Sequence, residues 1–285
     1  MTDILVTNDD GYTSAGFVPL IKELSKDYAV TAVAPDRGRS WIAKAVTTKQ
    51  KLTQKKVTYE GVDMHLLDGT PADCVQIGLY DIVDTRPKMV ISGINIGLNI
   101  GKARSLSSGT IGAAMEAAID GVRAIASSVS IPMSLKDNTD FYHPKSYPLF
   151  EHAARITAKA TRIMMNKTFH DFDVLSLNIP FEATVDTDLE VTTLFDTPYG
   201  RLFHKKNGTY SQSTPPIRYT NMKEGTDLKT VSKGKISLTP LNLSLGSPQA
   251  LPHVETIINK EWNVSLDKEK RNRNNRVHTN QLRTF

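Results

Sequence analysis

The chain has 285 residues, 39% of them hydrophobic and 23% charged, with a formal net charge of +5. That length allows one large core or a core with a smaller appended unit, and the composition is that of a soluble globular protein. The single cysteine, Cys74, excludes an internal disulfide and suits a reducing cytosol.

The excess charge is local. Between Lys268 and Arg283 lie Lys268, Lys270, Arg271, Arg273, Arg276 and Arg283, against one acid, Glu269. This tail carries the whole excess, so the body is formally neutral and nucleic acid is not the expected partner. Met1-Thr2-Asp3 leads into Ile4-Leu5-Val6, an apolar run too short for an export signal and without a basic flank. No stretch approaches the length of a membrane span. A cytoplasmic protein without membrane contact is expected.

In chain order, Ile4 to Thr7 reads as a first strand. Phe17, Leu20, Ile21 and Leu24 recur at helical spacing and predict a helix. Ala29 to Ala34 is a second strand, and Asp63 to Leu67 a third, paired with Lys56 to Tyr59. Pro71 opens a helix to Leu79 with Thr70 as its cap. Met89 to Ser92 is the fourth strand, Ser108 to Asp120 an alanine-rich helix, and Ala124 to Val129 the fifth strand. A helix over Tyr147 to Met165 and a buried strand from Asp173 to Ile179 follow. This alternation predicts an α/β, Rossmann-like, mostly parallel sheet with helices on both faces. From Glu182 to about Leu245 the chain turns polar, threonine-rich and β-like, reading as an antiparallel extension in which Ile236 to Leu241 is the clearest strand. A final helix is expected over His253 to Leu266, and the basic tail is expected to be disordered. The expected organisation is a catalytic core over 1–181, a β-hairpin and C-terminal oligomerisation region over 182–267 that returns to the core, and a tail over 268–285.

In open parallel sheets, ligands bind where strands end. The first strand runs into Asn8-Asp9-Asp10-Gly11, the second into Pro35-Asp36-Arg37-Gly38-Arg39-Ser40, the third into Asp68-Gly69-Thr70-Pro71. The fourth runs into a loop with Gly93, Asn95, Gly97, Asn99 and Gly101. These polar turns are expected to converge on one rim. Adjacent acids in a continuing strand point to opposite faces, so Asp9 and Asp10 reach one point only where Gly11 turns the chain. Two carboxylates held together repel, so one takes a proton or a cation sits between them. Oxygen ligands without a nearby histidine or thiolate favour Mg²⁺ or Mn²⁺ over Zn²⁺. Ser108-Gly109-Thr110 opens a helix, whose free amides make an anion seat, and Gly109 allows close approach.

In family order, several segments resemble the SurE family of survival-protein-E nucleotidases. They are Ile4-Leu5-Val6-Thr7-Asn8-Asp9-Asp10-Gly11, Val33-Ala34-Pro35-Asp36-Arg37-x-Arg39-Ser40, Gly69-Thr70-Pro71-x-Asp73-Cys74-Val75 and Val90-Ile91-Ser92-Gly93-Ile94-Asn95-x-Gly97-x-Asn99-x-Gly101. Ser108-Gly109-Thr110-x-x-Ala113-Ala114-Met115-Glu116 and Ile236-Ser237-Leu238-Thr239-Pro240-Leu241 continue the series. The resemblance implies one divalent cation per subunit, Mg²⁺ or Mn²⁺, on the positions matching Asp9, Asp10, Ser40 and Asn95. It implies phosphate contacts from Ser108, Gly109 and Thr110 with help from Asn99, and Asn8 and Lys44 complete the expected substrate-binding set. It implies hydrolysis of nucleoside 5′- and 3′-monophosphates, with short polyphosphate in some members, by a homodimer or homotetramer with exchanged C-terminal elements. Either Asp9 or Asp10 serves the attacking water, or Asp9 is itself the nucleophile. Two departures fall on the pocket rim: Trp41 stands where many members have a small residue, and Ser107 where many have an aromatic one. The competing readings are a non-catalytic nucleotide-binding module and a nucleic-acid binder working through the tail.

Overall fold

The structure is a computed structural model that describes residues 1–168, 170–196, 198–213 and 222–260. Strands β1 (Ile4–Thr7), β2 (Val30–Pro35), β3 (Gln54–Tyr59), β4 (Val62–Leu67), β5 (Met89–Ile96), β6 (Arg123–Val129), β7 (Val174–Ile179), β8 (Leu189–Val191) and β11 (Ile236–Leu241) form one sheet. Its order is β3-β4-β2-β1-β5-β6-β7-β11-β8. From β4 through β7 all neighbours are parallel; β3 pairs antiparallel with β4, and β11 antiparallel with β7. The α/β expectation holds. Strand order reverses between β1 and β5, which opens a crevice at their carboxyl ends.

The period of two in β1 divides the core. Ile4 and Val6 pack into the cluster holding α1 (Phe17–Leu24) and α6 (Glu151–Met164). Leu5 packs on the other face against α2 (Pro71–Ile77) and α4 (Gly109–Ile119), through Cys74, Val75, Ile111 and Ala114. Both faces are covered, so the parallel strands are apolar throughout. Helix α2 starts as expected: Thr70 Oγ1 accepts from Asp73 N, and the Asp73 carboxylate accepts from Thr70 N at 2.8 Å. At its far end it widens into a π turn over Gly78–Ile82.

Three expectations need correction. Strand β5 runs four residues beyond Ser92, to Ile96, because Gly93 (φ 141°) carries the chain past β6 so closely that a Cβ there would lie 2.4 Å from Ser127 O. The ladder shifts register at this point and resumes with Asn95 opposite Ser128. The helix expected over Tyr147 to Met165 is a 3₁₀ turn, Pro144–Leu149, followed by α6. Pro148 lies inside that turn and cannot donate to a continuous α-helix. Within the expected antiparallel extension, β8 and β11 belong to the main sheet and pair with each other in parallel. Among the described residues, only β9 (Phe203–Lys206) and β10 (Thr209–Gln212) form a separate antiparallel hairpin.

Short helices α3 (Gly101–Ser107), α5 (Met133–Lys136) and α7 (Asp227–Ser232) complete the first compact unit, Met1–Asn242. A second unit begins at Leu243. It holds a 3₁₀ turn, Pro248–Ala250, and a helix over 251–260. The remainder of the expected final helix, and the tail, lie outside the described residues.

Loop 40–47 is pressed onto α4. A Cβ on Gly112 would lie 2.2 Å from Ala43 O and 2.8 Å from Lys44 N, both backbone atoms. Alanine is favoured over glycine within a helix by about 1 kcal/mol, yet here the close approach reverses the sign. Gly112→Ala is expected to lower stability by about 1–3 kcal/mol, read from urea unfolding; a stabilised variant would contradict this packing.

Candidate active site

The turn after β1 is built as a closed unit. Asn8 Nδ2 donates to Gly11 O at 2.8 Å, and Arg39 N donates to Asp9 O at 2.6 Å, which ties the β2 loop onto the turn. Gly11 has φ 89°, and a Cβ there would lie 2.8 Å from Arg37 C. The expected role of Gly11 as the turning residue is met.

Asp9 and Asp10 are both buried, at 3% and 4% exposure, and both open on the same cleft. They are held by different elements. Asp9 Oδ1 accepts from Thr110 Oγ1 at 2.6 Å, at the first turn of α4. Asp10 Oδ2 accepts from Ile96 N at 2.8 Å, at the end of β5. Burial raises the Asp9 carboxyl to about 6, opposed by the Thr110 hydroxyl and by the amides of Thr110 and Gly109. Asp10 is driven well above the carboxylate range by burial and then by the charge of Asp9, against one opposing amide, that of Ile96. Asp9 is thus the acid that stays ionised more readily, because the amino end of a helix faces it.

The cleft has a volume of about 930 Å³, and Asp9, Asp10, Ser40, Asn95, Asn99 and Ser108 are among the residues that line it. Trp41, Leu98, Ile131, Met133 and Phe141 add apolar walls, and Arg104 and Lys136 add two cations. Asn95 commits its Nδ2 to Gly97 O at 2.6 Å, which leaves Oδ1 as its acceptor. Ser108 caps α4, accepting from Ile111 N at 3.1 Å, and keeps its own hydroxyl proton to donate. Asn99 is fixed from three sides: its Nδ2 donates to Ser128 Oγ at 2.9 Å, its backbone N donates to Asn178 Oδ1 at 2.9 Å, and Ser105 Oγ donates to its carbonyl at 3.2 Å.

Some expected contacts are placed elsewhere. Thr110 is fully buried with its hydroxyl spent on Asp9, and Asn8 shapes the acidic turn from beneath. Lys44 does not line the cleft; its ammonium pairs with Glu116 on α4, which also accepts from Gln76 Nε2 at 2.6 Å. The turn Asp68-Gly69-Thr70-Pro71 also lies off the cleft. It holds the neighbouring loops instead, Asp68 O accepting from Arg39 at 2.6 Å and Thr70 Oγ1 donating to Ala45 O at 2.7 Å.

Sequence reasoning passed over Ser128, Asn178 and Asp227. Asp227 is fully buried and gathers the amides of Gly101, Phe195 and Leu228 at 2.7, 2.8 and 2.7 Å. It pins the end of the β5 loop to α7. For Ser128 and Asn178 the available signal was a polar side chain inside a buried strand, since a buried polar group is kept where it has a partner to satisfy; Asp227, at the start of α7, gave no such signal.

Comparison with known proteins gives a consistent result. The family model described as Survival protein SurE matches residues 4–201. A protein named 5′-nucleotidase SurE from Methanocella arvoryzae is 34% identical over 273 residues, 91% of this chain and 98% of that one. Another of the same name, from Methanocaldococcus jannaschii, is 37% identical over 251 residues, covering 85% and 92%. The crystal structure of the SurE protein from Aquifex aeolicus superposes with a TM-score of 0.73 at 29% identity, covering 90% of this chain and 99% of that one.

The buried acid pair makes the cation-free protein sensitive to pH. An acid in the unfolded chain titrates near 3.8, while Asp9 holds its proton to about 6 and Asp10 is raised well above the ordinary carboxylate value. As pH rises above 3.8 the unfolded state loses these protons first, so folding stability declines until the folded values are passed. In chelator at pH 7.5, Asp10→Asn is therefore expected to melt at least about 2 °C above the unmodified protein, with the gap narrowing toward pH 4. A variant that is less stable across the whole range would contradict the repulsion.

Proposed function

The chain belongs to the SurE family, and on that premise we propose that it is a divalent-metal-dependent phosphomonoesterase that hydrolyses nucleoside 5′-monophosphates to nucleoside and phosphate. One observation carries this reading. Thr110 at the start of α4 donates to Asp9 at 2.6 Å, so the acid pair and an anion-binding helix end meet at one point in the cleft. The relatives named 5′-nucleotidase SurE support the substrate class. The proposal extends to 3′-monophosphates and short polyphosphate, which the cleft volume and the cations Arg104 and Lys136 along it would accommodate.

The donor set fits one hard cation. Among the described residues no three His, Cys, Asp or Glu side chains cluster to hold a metal, so Asp9 and Asp10 would be joined by the neutral oxygens of Ser40 and Asn95, all on the cleft. Two carboxylates with alcohol and amide oxygens suit Mg²⁺ or Mn²⁺. Burial raises both carboxyls, and the charge of Asp9 raises Asp10 further; a cation between them would relieve that repulsion. When bound, the ion supplies Lewis-acid polarisation of the phosphoryl oxygens.

The chain's own residues do the rest. Asp9, kept ionised by the α4 terminus, accepts a proton from the attacking water and orients it. Ser108 donates its hydroxyl to a phosphoryl oxygen, and the amino end of α4 faces the charge that develops there. Asn99, immobilised by Ser128 and Asn178, holds the opposite side of the phosphate. Lys44 acts at one remove, fastening loop 40–47 to α4 through Glu116. A homodimer or homotetramer is proposed on the exposed apolar groups Phe203 and Tyr210 of the β9–β10 hairpin and, in the second unit, Leu251, Val254, Ile257 and Ile258 of the helix over 251–260. No helix among the described residues is long and apolar enough to cross a membrane, and the buried free thiol of Cys74 supports a cytoplasmic site of action.

Phosphate release from a panel of nucleoside monophosphates, each with Mg²⁺, Mn²⁺ or chelator, tests the reading. Turnover is expected with a divalent ion and not in chelator. Asp9→Asn is expected to lose about 10³-fold or more in kcat/KM, with its circular dichroism unchanged. Full activity in chelator would overturn the proposal.

A further inference from the structure

Resting on the nucleotidase reading, we propose that Trp41, packed on Tyr199 at the rim of the cleft, is the platform on which the substrate's nucleobase stacks, and that it favours purines.

Four observations carry this. Trp41 lines the cleft beside Ser40 and is 38% exposed, so a large π surface faces solvent on the same cleft as the acid pair. An exposed aromatic is ordinary by itself; its backbone is not. Trp41 has φ 62° and Ala43 has φ 52°, the left-handed region that residues with a Cβ occupy only where surrounding structure enforces it. Here the enforcement is visible. Ala43 N donates to Ser107 O at 3.0 Å, Thr70 Oγ1 donates to Ala45 O at 2.7 Å, and Thr47 donates through N and Oγ1 to Asp73 at 3.0 and 2.6 Å.

The indole is also fixed from the other side. The rings of Trp41 and Tyr199 lie 5.3 Å apart at 45°. The Tyr199 hydroxyl donates to Ala103 O and lies 2.5 Å from Ser107 Oγ, on the helix that runs directly into Ser108. The aromatic pair is thus registered against the phosphate end of the site through its own hydrogen bonds. A preformed surface adds little ordering entropy on binding. A nucleobase offers a flat π face whatever its identity, and a purine offers the larger one.

The test compares substrates that share a sugar phosphate and differ in the base. KM and kcat are measured for adenosine 5′-monophosphate, cytidine 5′-monophosphate and ribose 5-phosphate with the unmodified protein, Trp41→Gly and Trp41→Phe. Glycine accepts a positive φ, so removing the indole does not add backbone strain. The unmodified protein is expected to show the lowest KM for the adenosine nucleotide. In Trp41→Gly, the ratio of KM for ribose 5-phosphate to KM for the adenosine nucleotide is expected to fall about tenfold, with phenylalanine restoring most of it. A ratio that stays within about twofold, or KM values that rise together for both substrates, overturns the platform.

If the unmodified protein hydrolyses none of the three with Mg²⁺ or Mn²⁺, the nucleotidase reading fails instead. The platform is then judged by adenosine titration followed through tryptophan fluorescence. Quenching in the unmodified protein that is lost in Trp41→Phe supports it, and equal quenching from the chain's other tryptophan, Trp262, overturns it.

Discussion

Two adjacent carboxylates taken out of water at the end of β1 set the terms for the rest of this molecule. Neither would be held there by its own strand. Asp9 is held by Thr110 at the head of α4, and Asp10 by the Ile96 amide at the far end of β5. Bringing those donors into reach requires β5 to continue past Gly93 and α4 to begin against the acidic turn. A Cβ on Gly109 would lie 2.8 Å from the Asp9 Cβ, so the helix can start this close only without a side chain. The same interaction explains why the two acids differ. One faces several amides and a hydroxyl, the other faces a single amide and its neighbour's charge.

Around this centre lies a ring of buried polar groups that keeps the loops from relaxing. Ser128 and Asn178 hold Asn99, while Asp227 gathers three amides, including that of Gly101. Asp227 comes from a segment that follows the hairpin and precedes β11. The late return of the chain to the sheet through β11 therefore secures the β5 loop as well as extending the core. A polar group inside such a ring is fully satisfied or very costly, so the network specifies one loop geometry. Loop 40–47 is fastened independently, by Glu116, Asp73 and Thr70. The cleft thus has a rigid acidic floor and a rigid aromatic rim.

Much of this was legible from residue order. The alternation of apolar strands and helical stripes specified the parallel α/β sheet; β1 carries the bounds read for it and α1 holds the four apolar residues read as its face, because both signals are local: β-branched runs and a 3.6-residue repeat. The acidic turn, Ser40, Asn95, Asn99 and Ser108 could be assembled because each follows a strand or opens a helix, and parallel strands deliver such positions to one edge. The ordered motifs of the SurE family pointed the same way. Apart from the helix broken at Pro148, a local effect, what failed depended on a neighbour distant in sequence. Lys44 looked like a phosphate ligand until packing placed Glu116 beside it, and β11 looked like part of an appendage until it paired with β7.

The sequence by itself determined most of the strands and helices of the core, where the chain must turn, and which oxygen-bearing side chains arrive at the strand ends. These follow from periodicity, glycine and proline chemistry, and capping, all of which act over a few residues. Only the tertiary structure decided which of those side chains face the cleft and which are spent on each other. It alone assigned Thr110 to Asp9, Lys44 to Glu116 and Asp227 to the amide of Gly101. The reason is physical: a buried polar group takes its partner from whatever packing brings within about 3 Å, and that choice is made across the sheet between residues far apart in the chain.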